Sequence, residues 1–210
     1  MERLPDPPSV AEILKKPVPE RRIILPGTLL WRVFTRGGTY AVEWNELRHY
    51  GPTASRFDHH PDGTPRVHHD RGILYAAEQH FTAVAEFFQA TRAINRDLNK
   101  PWIVQFPLTQ PLSLLDLTGG WMLKVGGNSA IASGEREQSR KWSRVFHEAY
   151  PDADGLCYRS SLNAEWIAYA LYERATRAFP KDPVVHAPLT DARIEPLIAL
   201  AAAESGYDVL

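Results

Sequence analysis

Apolar positions along the chain alternate between two periods, and the longest helical stretch is EQHFTAVAEFFQATRAINRDL, residues 78–98. Phe81, Val84, Ala85, Phe88, Thr91 and Ile94 recur there at helical spacing and predict the clearest helix of the chain. Trp142, Val145, Phe146 and Ala149 predict a second helix within EQSRKWSRVFHEAY. NAEWIAYALYERATRAF reads as a third, capped by Asn163, and residues 193–204 with their LIALAAA run as a closing one. Strand-type runs of β-branched and aromatic residues lie between turn signals: TLLWRVF, GILY, WIVQFPL, PLSLLDLT, GLCY and PVVHAPL. TLLWRVF, which follows Pro26-Gly27, is the first strand in this reading.

Strands and helices mix without regular alternation, repeat or βαβ period, so the pattern predicts an α+β fold and disfavours a doubly wound sheet. Residues 1–22 hold five of the 17 prolines around an amphipathic stretch, Val10 to Lys16. They read as an N-terminal arm lying over the domain or over a partner, with one compact domain at residues 23–210. Thr35 to Asp70 is rich in Gly, Pro, Asn, Asp and His, and reads as a long loop region with at most one short strand. Loops of this length are often functional.

Composition narrows the class. With 44% hydrophobic and 23% charged residues over 210 positions, the chain has the balance of one folded domain. Its 24 basic and 25 acidic residues nearly cancel, and none of its windows gathers Lys and Arg into a stripe, so direct binding to nucleic acid is not expected. Cys157 is the single cysteine, which excludes an intrachain disulfide and fits a reducing cytoplasm. The N-terminus lacks the apolar core of a secretory signal. No apolar run approaches the roughly 20 residues of a membrane-spanning helix. A soluble cytoplasmic protein is the expectation.

Chemistry concentrates at four places: LWRVF with Arg32, SRFD with Arg56, ILYAAE through AEFF with Tyr75 and Glu86, and GLCYRSS with Ser160. In order and spacing they resemble the RES domain, a family named for its Arg, Glu and Ser, over about residues 25–188. The resemblance implies an ADP-ribosyltransferase-like core, a mixed and mainly antiparallel sheet with flanking helices. It also implies the toxin of a bacterial toxin-antitoxin system, an enzyme that consumes NAD by hydrolysis or phosphorolysis. Some relatives instead pass ADP-ribose to a protein, and a fold retained only as a binding module is the reading from another class. NAD is then substrate rather than cofactor, with phosphate a possible co-substrate. The expected protein partner is a neutralising antitoxin of the Xre-type helix-turn-helix class.

The residue types suit that chemistry. Planar guanidinium forks at Arg32 and Arg56 match the pyrophosphate of a dinucleotide. Tyr75 offers a face for a nicotinamide ring. Cleavage of the nicotinamide-ribose bond passes through an oxocarbenium-like state, whose charge a carboxylate at Glu86 can stabilise. Ser160 occupies the place where diphtheria-type transferases carry a catalytic carboxylate. It reads as a hydrogen-bonding helper to ribose or acceptor, because no GxSxG elbow or base partner supports a nucleophile. Ser161 remains an alternative.

Tyr75 and Glu86 stand eleven positions apart, the spacing of two stacking tyrosines in diphtheria-type enzymes. Continuous helix would separate them by about 16 Å. A shared pocket therefore requires Tyr75 to end a strand and the chain to turn before a helix begins near His80.

His59-His60 and His68-His69, with Asp58 and Asp70, carry metal-binding residue types but no helical ligand spacing, so the stretch reads as a solvated loop and no metal is expected. The LIALAAA face fits burial in the core better than a homo-oligomer contact, which stays open.

Overall fold

In the computed structural model, which describes residues 3–210, most of the chain folds around one eight-stranded sheet. Its elements run α1 (Val10–Ile13), β1 (Arg21–Ile24), β2 (Leu29–Thr35), β3 (Tyr50–Gly51), β4 (Arg66–Val67), β5 (Ile73–Ala77), α2 (His80–Phe88) and β6 (Ala93–Ile94). They continue with β7 (Pro101–Pro107), β8 (Leu112–Asp116), α3 (Trp121–Lys124), α4 (Ala130–Ser133), α5 (Arg136–Ala149), β9 (Gly155–Arg159), β10 (Ile167–Tyr172), β11 (Val185–Pro188), α6 (Glu195–Ser205) and β12 (Asp208–Val209).

The sheet order is β1-β8-β9-β10-β5-β2-β7-β11, and only β8 with β9 is parallel. This is the mixed α+β architecture that the pattern predicts, with helices α2 and α6 on one side and α5 on another. The central strands β5, β9 and β10 are buried along nearly their whole length, so their sequences run largely apolar instead of alternating. No helix among the described residues is long and apolar enough to cross a membrane.

One element differs in type from the sequence expectation. Residues 163–179 form no α-helix: Ile167–Tyr172 is strand β10, followed by a 3-10 turn at Glu173–Ala178. A short apolar run cannot be told from a buried helix segment by period alone. Here IAYALY sits between β9 and β5, where both faces are covered. The predicted cap Asn163 instead accepts from Glu165 N at 2.9 Å, a local turn.

Other boundaries shift. TLLWRVF is preceded by β1, which pairs with β8. Helix α2 stops at Phe88, ten residues before the predicted end at Leu98, because Arg92 adopts a positive φ of 54° and Ala93–Ile94 turns to pair with β12. Between Thr35 and Asp70 there are two short strands, β3 and β4, where at most one was expected.

The N-terminal arm lies over the domain. Ser9 and Glu12 form a reciprocal capping box that starts α1. Leu4 and Ile13 are fully buried against Trp121 and Trp142, whose indole N–H groups donate to the carbonyls of Pro17 (3.1 Å) and Pro5 (2.8 Å). At the other end of the chain α6 packs on α2 and buries Ile198 and Ala201.

If the arm is part of the core, Ile13→Ala lowers the unfolding free energy by about 2–5 kcal/mol in urea denaturation, as truncation of a buried isoleucine does. A loss below about 0.5 kcal/mol, typical of surface positions, would show the arm to be dispensable.

Candidate active site

Strands β2 and β5 share a single residue pair, Trp31 with Ala77, whereas β2 pairs with β7 at seven positions and β5 with β10 at five. That register assigns Arg32 and Tyr75 to opposite faces of a continuous sheet, since side chains alternate along a strand. The two strands diverge beyond their one pair, and a cavity of about 980 Å³ opens there, lined by both residues together with Arg56, Glu86, Tyr158 and Ser161. This is the size range of small-molecule and cofactor sites.

The condition on Tyr75 and Glu86 is met. Tyr75 lies in β5, the strand ends two residues later at Ala77, and α2 begins at His80. The Tyr75 hydroxyl accepts from Phe57 N at 3.2 Å, and burial pushes the phenol well above its ordinary value. Glu86 sits on α2 at the edge of the stripe formed by Thr82, Ala83, Val84, Ala85 and Phe88, and is half-buried. Ser160 follows β9, is buried, and donates its hydroxyl to Glu86 Oε1 at 2.5 Å while accepting from Leu162 N at 3.1 Å. The wall residue is its neighbour Ser161, which is exposed. Ser160 therefore stands behind the carboxylate, bonded to it.

Arg32 is held by β2 inside the protein. One nitrogen donates to the carbonyls of Trp44 at 2.6 Å and Glu46 at 3.0 Å, and no carboxylate among the described residues lies within ion-pair distance. Burial lowers its pKa to about 10, so the group stays cationic at neutral pH. The Glu46 carboxylate opposes that shift from beyond ion-pair distance, so the buried charge is only partly compensated and an anion entering the cavity would relieve the remaining cost.

Arg56 comes from the long loop and donates to Gly134 O at 2.6 Å. Its pKa is lowered by burial first and then by the nearby Arg136, with Glu86 pulling the other way. It too has no carboxylate partner among the described residues.

All five sequence-predicted residues thus meet at one cavity, four on its wall and Ser160 one bond behind. Sequence reasoning did not single out Tyr158, Gln89 and Arg136, which also line it. Tyr158 could have been noticed as the large polar aromatic two positions before Ser160. Gln89 and Arg136 carry no such signal.

The histidine stretch departs from the expected solvated loop. Asp58, His59 and His60 are fully buried, whereas residues 62–67, His69 and Asp70 are exposed as expected and His68 is half-buried. Asp58 accepts from His60 Nδ1 (2.7 Å), from Thr53 and from Arg48. Asp58 and His60 bond each other, whereas both His59 ring nitrogens lack a hydrogen-bond partner and the ring is held by packing on His147 and Tyr172, an arrangement that a reading by polarity does not see.

His59 meets His147 of α5 and Glu173, a set of metal-binding types. The two imidazoles stack at 4.2 Å and 13°, so their in-plane lone pairs do not converge. Arg174 also places a guanidinium nitrogen 3.0 Å from His147 Nε2, where a cation would compete with it. The arrangement reads as a buried network pinning the loop to α5.

The model for the RES domain matches residues 29–195. Among solved structures, a chain in the crystal structure of the M. tuberculosis MbcT-MbcA toxin-antitoxin complex superposes with a TM-score of 0.56 at 16% identity, covering 90% of this chain and 96% of that one. That likeness concerns the fold. No curated protein matches in sequence.

The buried network makes stability depend on pH. His59 is pushed down to about 4, by burial first, with His147 and His60 adding and Glu173 opposing. An unfolded histidine titrates near 6.5, so between about pH 6.5 and 4 the unfolded chain binds a proton that the folded chain refuses. Stability from this residue is full above the window and lost as pH falls through it, by about 3 kcal/mol. Burial lowers His147 as well, which adds in the same direction. Urea unfolding at stepped pH should show this decline and a shallower one for His59→Phe; identical slopes for parent and variant would contradict it.

Proposed function

The chain belongs to the RES domain family, and from that premise we propose that it is the toxin of a toxin-antitoxin module, cleaving the nicotinamide-ribose bond of NAD. The observation that carries the reading is the pairing, in one cavity, of unneutralised cations with a carboxylate held in advance. Arg32 and Arg56 offer guanidinium groups without carboxylates at ion-pair distance, and Ser160 fixes Glu86 on the wall of the same cavity.

In this account Arg32 and Arg56 bind the pyrophosphate, which leaves the nicotinamide riboside end near Tyr75 and Glu86. The C–N bond breaks with its electron pair leaving on neutral nicotinamide. Positive charge develops on the ribose ring and is opposed by the Glu86 carboxylate, which needs no reorganisation because Ser160 already orients it. A water or phosphate oxygen then attacks the anomeric carbon and gives up its proton. The role of Ser160 is thereby narrowed from contact with ribose or acceptor to orientation of Glu86.

The partner expected of such a toxin is an antitoxin. The matched complex is itself described as one of a toxin with its antitoxin. A segment of that partner entering the cavity would neutralise the enzyme by excluding NAD.

Purified protein given NAD, with and without phosphate, should release nicotinamide. Glu86→Gln, which preserves shape and removes charge, should lower kcat by about 10²–10³, the scale of losing one preorganised electrostatic contact. ADP-ribose as product would mark hydrolysis, and a phosphorylated ADP-ribose phosphorolysis. No nicotinamide under either condition would overturn the cleavage reading, and NAD loss that appears only with a protein acceptor would move the assignment to transferase.

A further inference from the structure

Glu86 has a second holder that the family's signature does not include. Gln89, at the end of α2 and on the cavity wall, donates from Nε2 to Glu86 Oε2 at 3.1 Å and to the Glu86 backbone carbonyl at 2.8 Å. Its Oε1 accepts from Arg136 at 2.9 Å. With Ser160 on Oε1 of the carboxylate, each carboxylate oxygen has its own donor, one from β9's end and one from α2.

The arrangement is directional. An amide carries donors on nitrogen and acceptors on oxygen. If the Gln89 amide were flipped, its oxygen would face two oxygens of Glu86 and its nitrogen would face the Arg136 donor. Only one orientation is compatible with all three partners, and Arg136 is the partner that selects it.

Arg136 is the first residue of α5 and exposed, and its bond to Gln89 ties α5 to the end of α2, the helix that carries Glu86. Nothing in the cavity competes for it among the described residues, since it makes no ion pair there.

We propose that Gln89 is a positioning residue for Glu86, locked in its working orientation by Arg136, so that Arg136–Gln89–Glu86–Ser160 acts as one relay. The inference deepens the NAD-cleavage reading and rests on it for its catalytic consequence. Two donors on two different oxygens fix the plane of the carboxylate, which a single serine bond leaves free to rotate. A group that opposes charge present only in the transition state gains from being held beforehand, and the gain falls on kcat and not on substrate binding.

A plain helix-capping role for Gln89, through the backbone carbonyl alone, predicts lost stability without a kinetic split. The relay predicts that Gln89→Leu lowers kcat about tenfold or more with KM within about twofold. Arg136→Met, at an exposed position, should lower kcat by a few-fold, and the double variant should be no slower than Gln89→Leu, because Arg136 acts through Gln89. Unchanged kcat in Gln89→Leu overturns the proposal. So does a double variant whose loss is the product of the two single losses, which would make Arg136 independent of Gln89, or an Arg136 effect confined to KM, which would put it on the substrate itself.

A readout independent of turnover is the carboxyl ¹³C resonance of Glu86 in glutamate-labelled protein, assigned by its disappearance in Glu86→Gln. It should move in both Gln89→Leu and Arg136→Met; an unmoved resonance contradicts the relay. If the parent protein releases no nicotinamide, the cleavage reading fails while this resonance still decides the positioning.

Discussion

Pairing between β2 and β5 stops after Trp31 and Ala77, and the divergence of these strands controls what the rest of the molecule can do. A continuous sheet would have put Arg32 and Tyr75 on opposite faces. The open edges still need partners for their backbone groups, because unpaired polar groups buried in a cleft are costly. The segment before β3 meets that need: Arg48 exchanges both backbone hydrogen bonds with Ile73 on the β5 side (2.9 and 3.1 Å). On the other side Val42 N donates to the Thr35 carbonyl of β2 at 3.0 Å, and the carbonyls of Trp44 and Glu46 accept from the Arg32 side chain. One stretch of chain therefore stitches both banks of the cleft, and a candidate substrate-binding arginine doubles as a stitch.

Electrostatics follows from that geometry. Charges are retained in the cleft where apolar packing would have been cheaper: Arg32 buried with carbonyls and no carboxylate at ion-pair distance, Arg56 crowded by Arg136, and Glu86 held between Ser160 and an amide. Elsewhere the fold pairs its buried charges carefully. Asp58 is surrounded by His60, Thr53 and Arg48, and Glu173 by His147 and Arg174. Unpaired cations beside a preset carboxylate are the kind of local cost that folds tolerate at functional sites.

The sequence made the site more legible than the architecture around it. Helix α2 announced itself by period, and the Tyr75–Glu86 spacing required a strand-to-helix turn that the chain makes between Ala77 and His80. Strand β10 was hidden because IAYALY is apolar throughout, and only its burial between β9 and β5 distinguishes strand from helix. Buried Asp58, His59 and His60 were hidden for the opposite reason: polar residues packed inside look like solvated ones until their neighbours on α5 and after β10 are known. Gln89 and Arg136 belong to the same class, since what they do depends on a contact 47 positions apart in sequence.

The central claim is that the cleft between β2 and β5 is where NAD binds and is cut. The most direct measurement is a crystal structure of the Glu86→Gln protein with NAD bound. The account predicts the pyrophosphate against Arg32 and Arg56, with the nicotinamide-ribose bond beside Tyr75 and the side chain at position 86. NAD seated outside this cavity, or in it with the nicotinamide-ribose bond remote from position 86, would contradict it.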